Sequence, residues 1–241
     1  MQQVRFAQIH INMALRIFWL SLVLLTVSCE FARAQETEFL PETDVYLKLD
    51  SLVRLRLQAA DTREGGEPTQ LTIGPDVELY VKPLIQLKKI TAFDLDDAKA
   101  RPLVFAAGYR YLTGSPSTNR INLVATSHLP LKPGLLLSDR NRADLDWSNG
   151  TFTWRYRNKL EVEKPLTIRS YHPAPYASVE VYYESQYKKW STTEIDAGCL
   201  FPIKKRFEID SYYEHQNNTG KHPNRQLNAI GITLNIYLSV K

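Results

Sequence analysis

From Ile230 to Val240 every second residue is a bulky aliphatic: Ile230, Ile232, Leu234, Ile236, Leu238 and Val240. The residues between them are Gly231, Thr233, Asn235, Tyr237 and Ser239. A period of two places these sets on opposite faces of a β-strand, one greasy and one small or polar. A tilted strand needs roughly 9–11 residues to cross a bilayer, which this run supplies. The same alternation recurs upstream. It predicts strands at about 45–59, 72–82, 102–112, 120–129, 134–147, 151–164, 175–184, 191–201, 206–215 and 228–240. Helical periodicity is nearly absent. The expected fold class is all-β: an antiparallel transmembrane β-barrel of about ten strands, with eight or twelve as alternatives. Ile230, Ile232, Leu234, Ile236 and Leu238 would face lipid, and the polar set a wet lumen.

The connections carry turn chemistry. Ser148-Asn149-Gly150 is a tight hairpin signal. Lys132-Pro133-Gly134 and Pro202-Ile203-Lys204-Lys205 read as short turns, and 61–70 and 216–226 as long polar loops. An even strand count would put both chain ends on the periplasmic side and these two loops outside. Segments 83–101 and 165–174 are long yet fall on the periplasmic side, and the pattern gives them no role. Trp147, Trp154, Trp190, Tyr111, Tyr176 and Tyr183 lie near strand ends, where membrane barrels carry aromatic girdles. The rival architecture is a soluble, lipocalin-like periplasmic ligand-binding barrel with its apolar face inward. Alternation is blind to that choice. Long strands, small residues on the polar face and aromatics at strand ends favour the membrane form.

The N-terminus adds a destination. Arg16, the apolar run Ile17–Val27 and the small-x-small Ala32-Arg33-Ala34 read as a cleaved signal peptide at 1–34, preceding one barrel domain at 35–241. Met1 and Met13 are both candidate starts. The run is too short for a transmembrane helix, which needs roughly 20 apolar residues. The expected location is the outer membrane of a Gram-negative bacterium, with lipid and the barrel assembly machinery as partners and a small solute as a further candidate. The oligomeric state is left open. Cleavage leaves 207 residues with Cys199 as the sole cysteine, so an intramolecular disulfide and a thiolate metal site are excluded. Three arginines and one glutamate leave with the signal, which lowers the formal net charge from +4 to +2. This is not the excess of a nucleic-acid-binding protein.

Charge on the polar face is the remaining signal. A lipid-facing Arg at the bilayer midplane costs about 2–4 kcal/mol, so the charged set must face the lumen. Arg54, Arg56, Arg110, Arg140, Arg142, Arg155 and Arg157 come from the earlier strands, with Glu161 beside them. Glu180, Glu184, Glu194, Asp196, Glu208, Asp210 and Glu214 come from the later ones. Closure would set a basic wall opposite an acidic one. Either the walls meet as an ion-pair plug, or they bound a small pore.

Leu137-Ser138-Asp139-Arg140-Asn141-Arg142, Trp154-Arg155-Tyr156-Arg157-Asn158 and Tyr212-Tyr213-Glu214-His215-Gln216-Asn217 resemble a bacterial family, the domain-of-unknown-function family numbered 2490. The likeness runs from about Thr43 onward. It implies an outer-membrane barrel and supplies no activity, cofactor or catalytic residue. Such barrels end on an aromatic read by the assembly machinery. Here Tyr237 would serve, with four residues after it. An enzyme of the outer membrane acting on lipid or peptide would need a Ser–His pair. His128 and Ser138 share a face on successive strands, but the 131–134 turn is expected to throw them out of register. His215 with Glu214 and Asp210 is a rim acid/base candidate. No metal site is predicted from the scattered His172, His215 and His222.

Overall fold

A computed structural model describes residues 36–64, 66–81, 96–131, 134–220 and 224–240. The expected signal peptide and both candidate start residues lie outside the described residues. So does most of segment 83–101. Eleven strands form one closed barrel: β1 (Glu36–Lys48), β2 (Val53–Glu64), β3 (Glu67–Tyr80), β4 (Leu103–Leu112), β5 (Thr118–Leu131), β6 (Leu135–Ser148), β7 (Thr151–Glu163), β8 (Ala174–Glu184), β9 (Lys189–Ile203), β10 (Phe207–Asn218) and β11 (Arg225–Ser239). Nine of the predicted strands match β3 to β11. The tenth, 45–59, is two strands, with a turn at Leu49–Leu52 whose Leu49 and Asp50 N–H groups both donate to the Val53 carbonyl. Paired residues of β1 and β2, such as Leu47 and Leu55, have the same parity. The hairpin therefore continues the period-two pattern without a break, and alternation alone cannot reveal the turn. β1 also reaches back through Pro41. Pairing with β2 lapses at Leu40 and Pro41, where proline has no N–H for the ladder, and resumes in register.

All ten sequential pairs are antiparallel. With eleven strands, β1 and β11 must then run the same way where they close the barrel. The Val240 N–H donates to the Lys48 carbonyl, and Arg225 lies 3.6 Å from Glu38, so strand starts and strand ends meet. The start of β1 and the end of β11 therefore lie at opposite ends, a correction to the even-count expectation.

One end, the hairpin end, carries the Asn149-Gly150 turn. At Asn149-Gly150 both φ values are positive, 48° and 75°, as a two-residue hairpin requires. The expected loop 61–70 is mostly strand, with Glu64 paired to Glu67 across its tip, and the expected loop 216–226 overlaps the end of β10 at Asn218 and the start of β11 at Arg225. The other end, the connector end, carries the 49–52 turn, the described residues 96–102 and segment 164–173. The last is a protruding ribbon: Leu166 and Ile168 N–H groups donate to Pro173 and Tyr171 carbonyls across a turn at Arg169 (φ 60°).

The orientation of the wall is plain. Ile230, Ile232 and Leu238 are exposed on the outside, with Leu234 and Ile236 half-buried between them, while Gly231, Thr233 and Asn235 are buried inside. Leu57, Leu79, Phe105, Leu123, Leu160, Val179 and Ile195 also point out. This is the reverse of a lipocalin-like barrel. Trp147, Trp154, Trp190 and Tyr111 form an outward aromatic group toward the hairpin end, with Tyr183 stacked on Trp154 at 5.4 Å. One expected member, Tyr176, lies inside instead, and so does Tyr237, the expected terminal aromatic. Tyr176 donates to Asp210 at 3.0 Å, and its ring lies where a Cβ on Gly198 would sit, a close approach only glycine allows. Tyr237 stacks on Tyr46 at 5.0 Å and donates to Glu208, so the last outward position of the band belongs to Leu238, not to an aromatic.

Candidate functional site

Every one of the charged positions singled out in the sequence faces the interior, and most are tied in pairs or triads. Arg54 donates to Glu78 and Asp96, both at 2.6 Å. Arg56 reaches Asp44 at 2.5 Å and Glu42 at 3.1 Å. Arg110 binds Asp76, and Arg120 makes a two-point pair with Asp146 at 2.6 and 2.8 Å. Fully buried Asp144 accepts from Arg142 at 2.6 Å and Arg155 at 3.2 Å. Arg155 is also 3.9 Å from Glu184. Glu180, likewise buried, accepts two bonds from Arg157 at 2.8 Å and is 3.1 Å from Arg140. Lys159 reaches Asp196 at 2.6 Å. Buried charges need such partners, since an isolated one is strongly disfavoured.

The picture of two opposed walls needs correcting. Asp76 and Glu78 on β3 and Asp144 and Asp146 on β6 lie among the arginines, so most pairs join neighbouring strands. Alternation identified which residues face inward. The acids were missed as partners because the separation by sign was taken over whole strands. The acidic stretch does persist on β9 and β10. Carboxylate oxygens of Glu194, Asp196 and Glu214 come within 4.8 Å of one another, a crowding set by the Asp196–Glu214 register. Lys159, Ser178 and the Tyr182 hydroxyl serve this group. Asp210 and Glu208 instead take neutral donors, Tyr176, Asn235 and Tyr237.

These walls leave space. A chamber of about 630 Å³ runs between β1–β2 and β6–β11, and one of about 230 Å³ adjoins it toward the connector end. At roughly 30 Å³ per water, the larger would hold on the order of twenty. The interior is neither a solid ion-pair plug nor a bare tube. The described part of the long connector forms part of its lining. Asp96 and the 3₁₀ turn Asp97–Ala100 bring Lys99 to Glu163, Asp97 to Lys48 and Ala98 against Tyr80 and Val104. Burial alone would raise the Asp96 carboxyl, but the Arg54 guanidinium and Lys99 ammonium outweigh it and hold it below the ordinary 3.8.

His128 and Ser138 are direct cross-strand partners, against the expectation that the turn would throw them out of register. The three residues 132–134 join Leu131 to Leu135, whose pairing keeps both residues on the inner face. Glu161 is the next partner of Ser138, so His128, Ser138 and Glu161 form one row in the smaller chamber. His128 Nδ1 lies 2.8 Å from the Arg101 carbonyl. A carbonyl only accepts, so Nδ1 carries the proton and Nε2 is left as the acceptor. His215 pairs with Asn228 at 2.8 Å and lies on the outer face of β10, away from the inward Glu214 and Asp210.

Fold and interior together define an all-β closed barrel with apolar side chains outside and a charged core. The chain belongs to the family described as Protein of unknown function (DUF2490), whose model matches residues 100–227. That stretch covers β4 to β10 and the start of β11, and contains all three motifs from which the resemblance was read. A search of curated proteins returned no match.

Proposed function

We propose that this protein is an outer-membrane β-barrel enclosing a narrow, charged, water-filled chamber that passes or holds small cations. The observation that carries this reading is the partition of the wall. Large aliphatics cover the outside of strands ten to fifteen residues long, while arginine–carboxylate networks fill the inside. Water would penalise that exterior and lipid would not. The test is refolding of residues 35–241 into liposomes with proteinase challenge. Protection of the strands and extraction only by detergent are expected. Release of the native protein by salt alone would overturn the reading in favour of a soluble barrel.

The His128–Ser138 register favours a second reading, a hydrolase acting within the lumen. There the Ser138 hydroxyl would attack the acyl carbon of an ester while His128 Nε2 takes its proton and passes it to the departing alcohol, and water would then hydrolyse the acyl-serine, returning the proton to Ser138 and releasing the carboxylic acid. Turnover of an ester substrate that vanishes in both Ser138→Ala and His128→Ala would support it. Turnover unchanged in both would end it.

A further inference from the structure

One patch of the outer wall departs from the apolar rule. On β6, Asp139 and Asn141 point outward between Leu137 and Ala143, and on β7 Asn158 does so between Tyr156 and Leu160. The polar groups bind one another. The Asn158 amide donates to Asp139 at 2.7 Å and to Asn141 at 3.2 Å, Asn141 donates to Asp139 at 3.3 Å, and the Tyr156 hydroxyl donates to Asn141. Among the capacities left unused are the second amide hydrogen of Asn141 and the carbonyl oxygen of Asn158. Beside them the wall is recessed. A hollow of about 580 Å³ is lined by Ala107, Ala125 and Ala143 among larger side chains.

Given the outer-membrane reading, on which this inference rests, such groups meet acyl chains that can neither donate nor accept. We propose that this face is the contact surface between two copies of the chain. The register supplies the self-complementarity. Cross-strand partners on β6 and β7 are Asp139 with Leu160, Asn141 with Asn158, and Ala143 with Tyr156. Strands lie about 4.8 Å apart, so at a tilt near 40° partners differ in depth by about one residue's rise. A two-fold axis along the bilayer normal, passing between Asn141 and Asn158, brings these two side chains of opposite copies to within about that difference in depth. Asn141 of one copy meets Asn158 of the other, and the spare N–H finds the spare carbonyl, twice by symmetry. The tilted strands of the two copies cross, so contact centres on this pair, and the recess beside it leaves room for the larger side chains of the other copy. Asp139 lies off the axis, so like charges stay apart. Small residues that let backbones approach and polar groups that bond across the contact are the means by which membrane segments associate.

The test is single-molecule photobleaching of labelled protein in bilayers, with proteinase protection scored on each sample. Wild type is expected to bleach in two steps. Asn158→Leu and Ala143→Trp, which remove the acceptor and fill the recess, should each weaken dimerisation about tenfold while insertion persists. Ile232→Trp on β11 should leave it unchanged. Inserted wild type that bleaches in one step, or dimers indifferent to both β6–β7 variants, overturns the interface and leaves the membrane reading standing. Failure to insert overturns both.

Discussion

At the scale of single residues, the molecule depends on carboxylates serving two guanidinium groups each. Glu180 is 1 % exposed and holds Arg140 and Arg157, and Asp144 holds Arg142 and Arg155. Removing one partner leaves the other charged and buried. Arg157→Leu and Glu180→Gln are each expected to lower stability by about 3–5 kcal/mol, read from unfolding in detergent. Arg140→Leu should lose less, since its side chain keeps 34 % exposure to the chamber. Wild-type resistance in all three would show that chamber water solvates these charges well enough to make pairing dispensable.

At the scale of elements, the connector is the part with a titratable latch. Asp96 joins Arg54 just before the 3₁₀ turn, and Lys99 joins Glu163 from within the turn. Because the folded Asp96 carboxyl lies below its ordinary value, docking is fully favoured above about pH 4 and weakens as pH falls through the folded value. Hydrogen exchange at the Lys99 and Arg101 amides should therefore accelerate on acidification beyond the intrinsic chemical trend. Asp96→Asn should show raised exchange already at neutral pH and lose the extra acid response. Identical profiles for the two proteins would mean that the 3₁₀ turn is held by Ala98 packing alone.

At the scale of the whole molecule, closure and charge balance decide what the barrel can pass. The single parallel seam, β1 against β11, is the ladder type with slightly weaker pairing. It is reinforced inside by Tyr46 stacked on Tyr237 and by the Arg54 guanidinium 4.2 Å above Tyr46. Ten carboxylates and seven cationic side chains line the larger chamber. That excess sets the expected selectivity: small steps in a planar bilayer that favour cations, with the preference strengthened in Arg142→Glu. Anion preference in the wild type would refute the assignment. Silence from an inserted barrel would mean that the chamber holds ions without passing them.

The amino-acid order by itself determined which side chains share a face. Period-two alternation depends only on backbone geometry, so it placed Arg140 and Arg157 together, set Ile230 and Ile232 on the opposite face from Thr233 and Asn235, and marked the Asn149-Gly150 turn. It also carried the motifs that assign the family. Tertiary structure alone decided three things. The first was the strand count, because a hairpin whose partners have equal parity looks like one long strand. The second was register, which joined His128 to Ser138 and crowded Glu194, Asp196 and Glu214. These depend on how many residues each turn consumes, and hydrophobic pattern does not record that. The third was the direction each face points. An alternating strand is the same string whether its greasy side meets a core or the surroundings, and only closing the barrel fixed the charges inside and the aliphatics out.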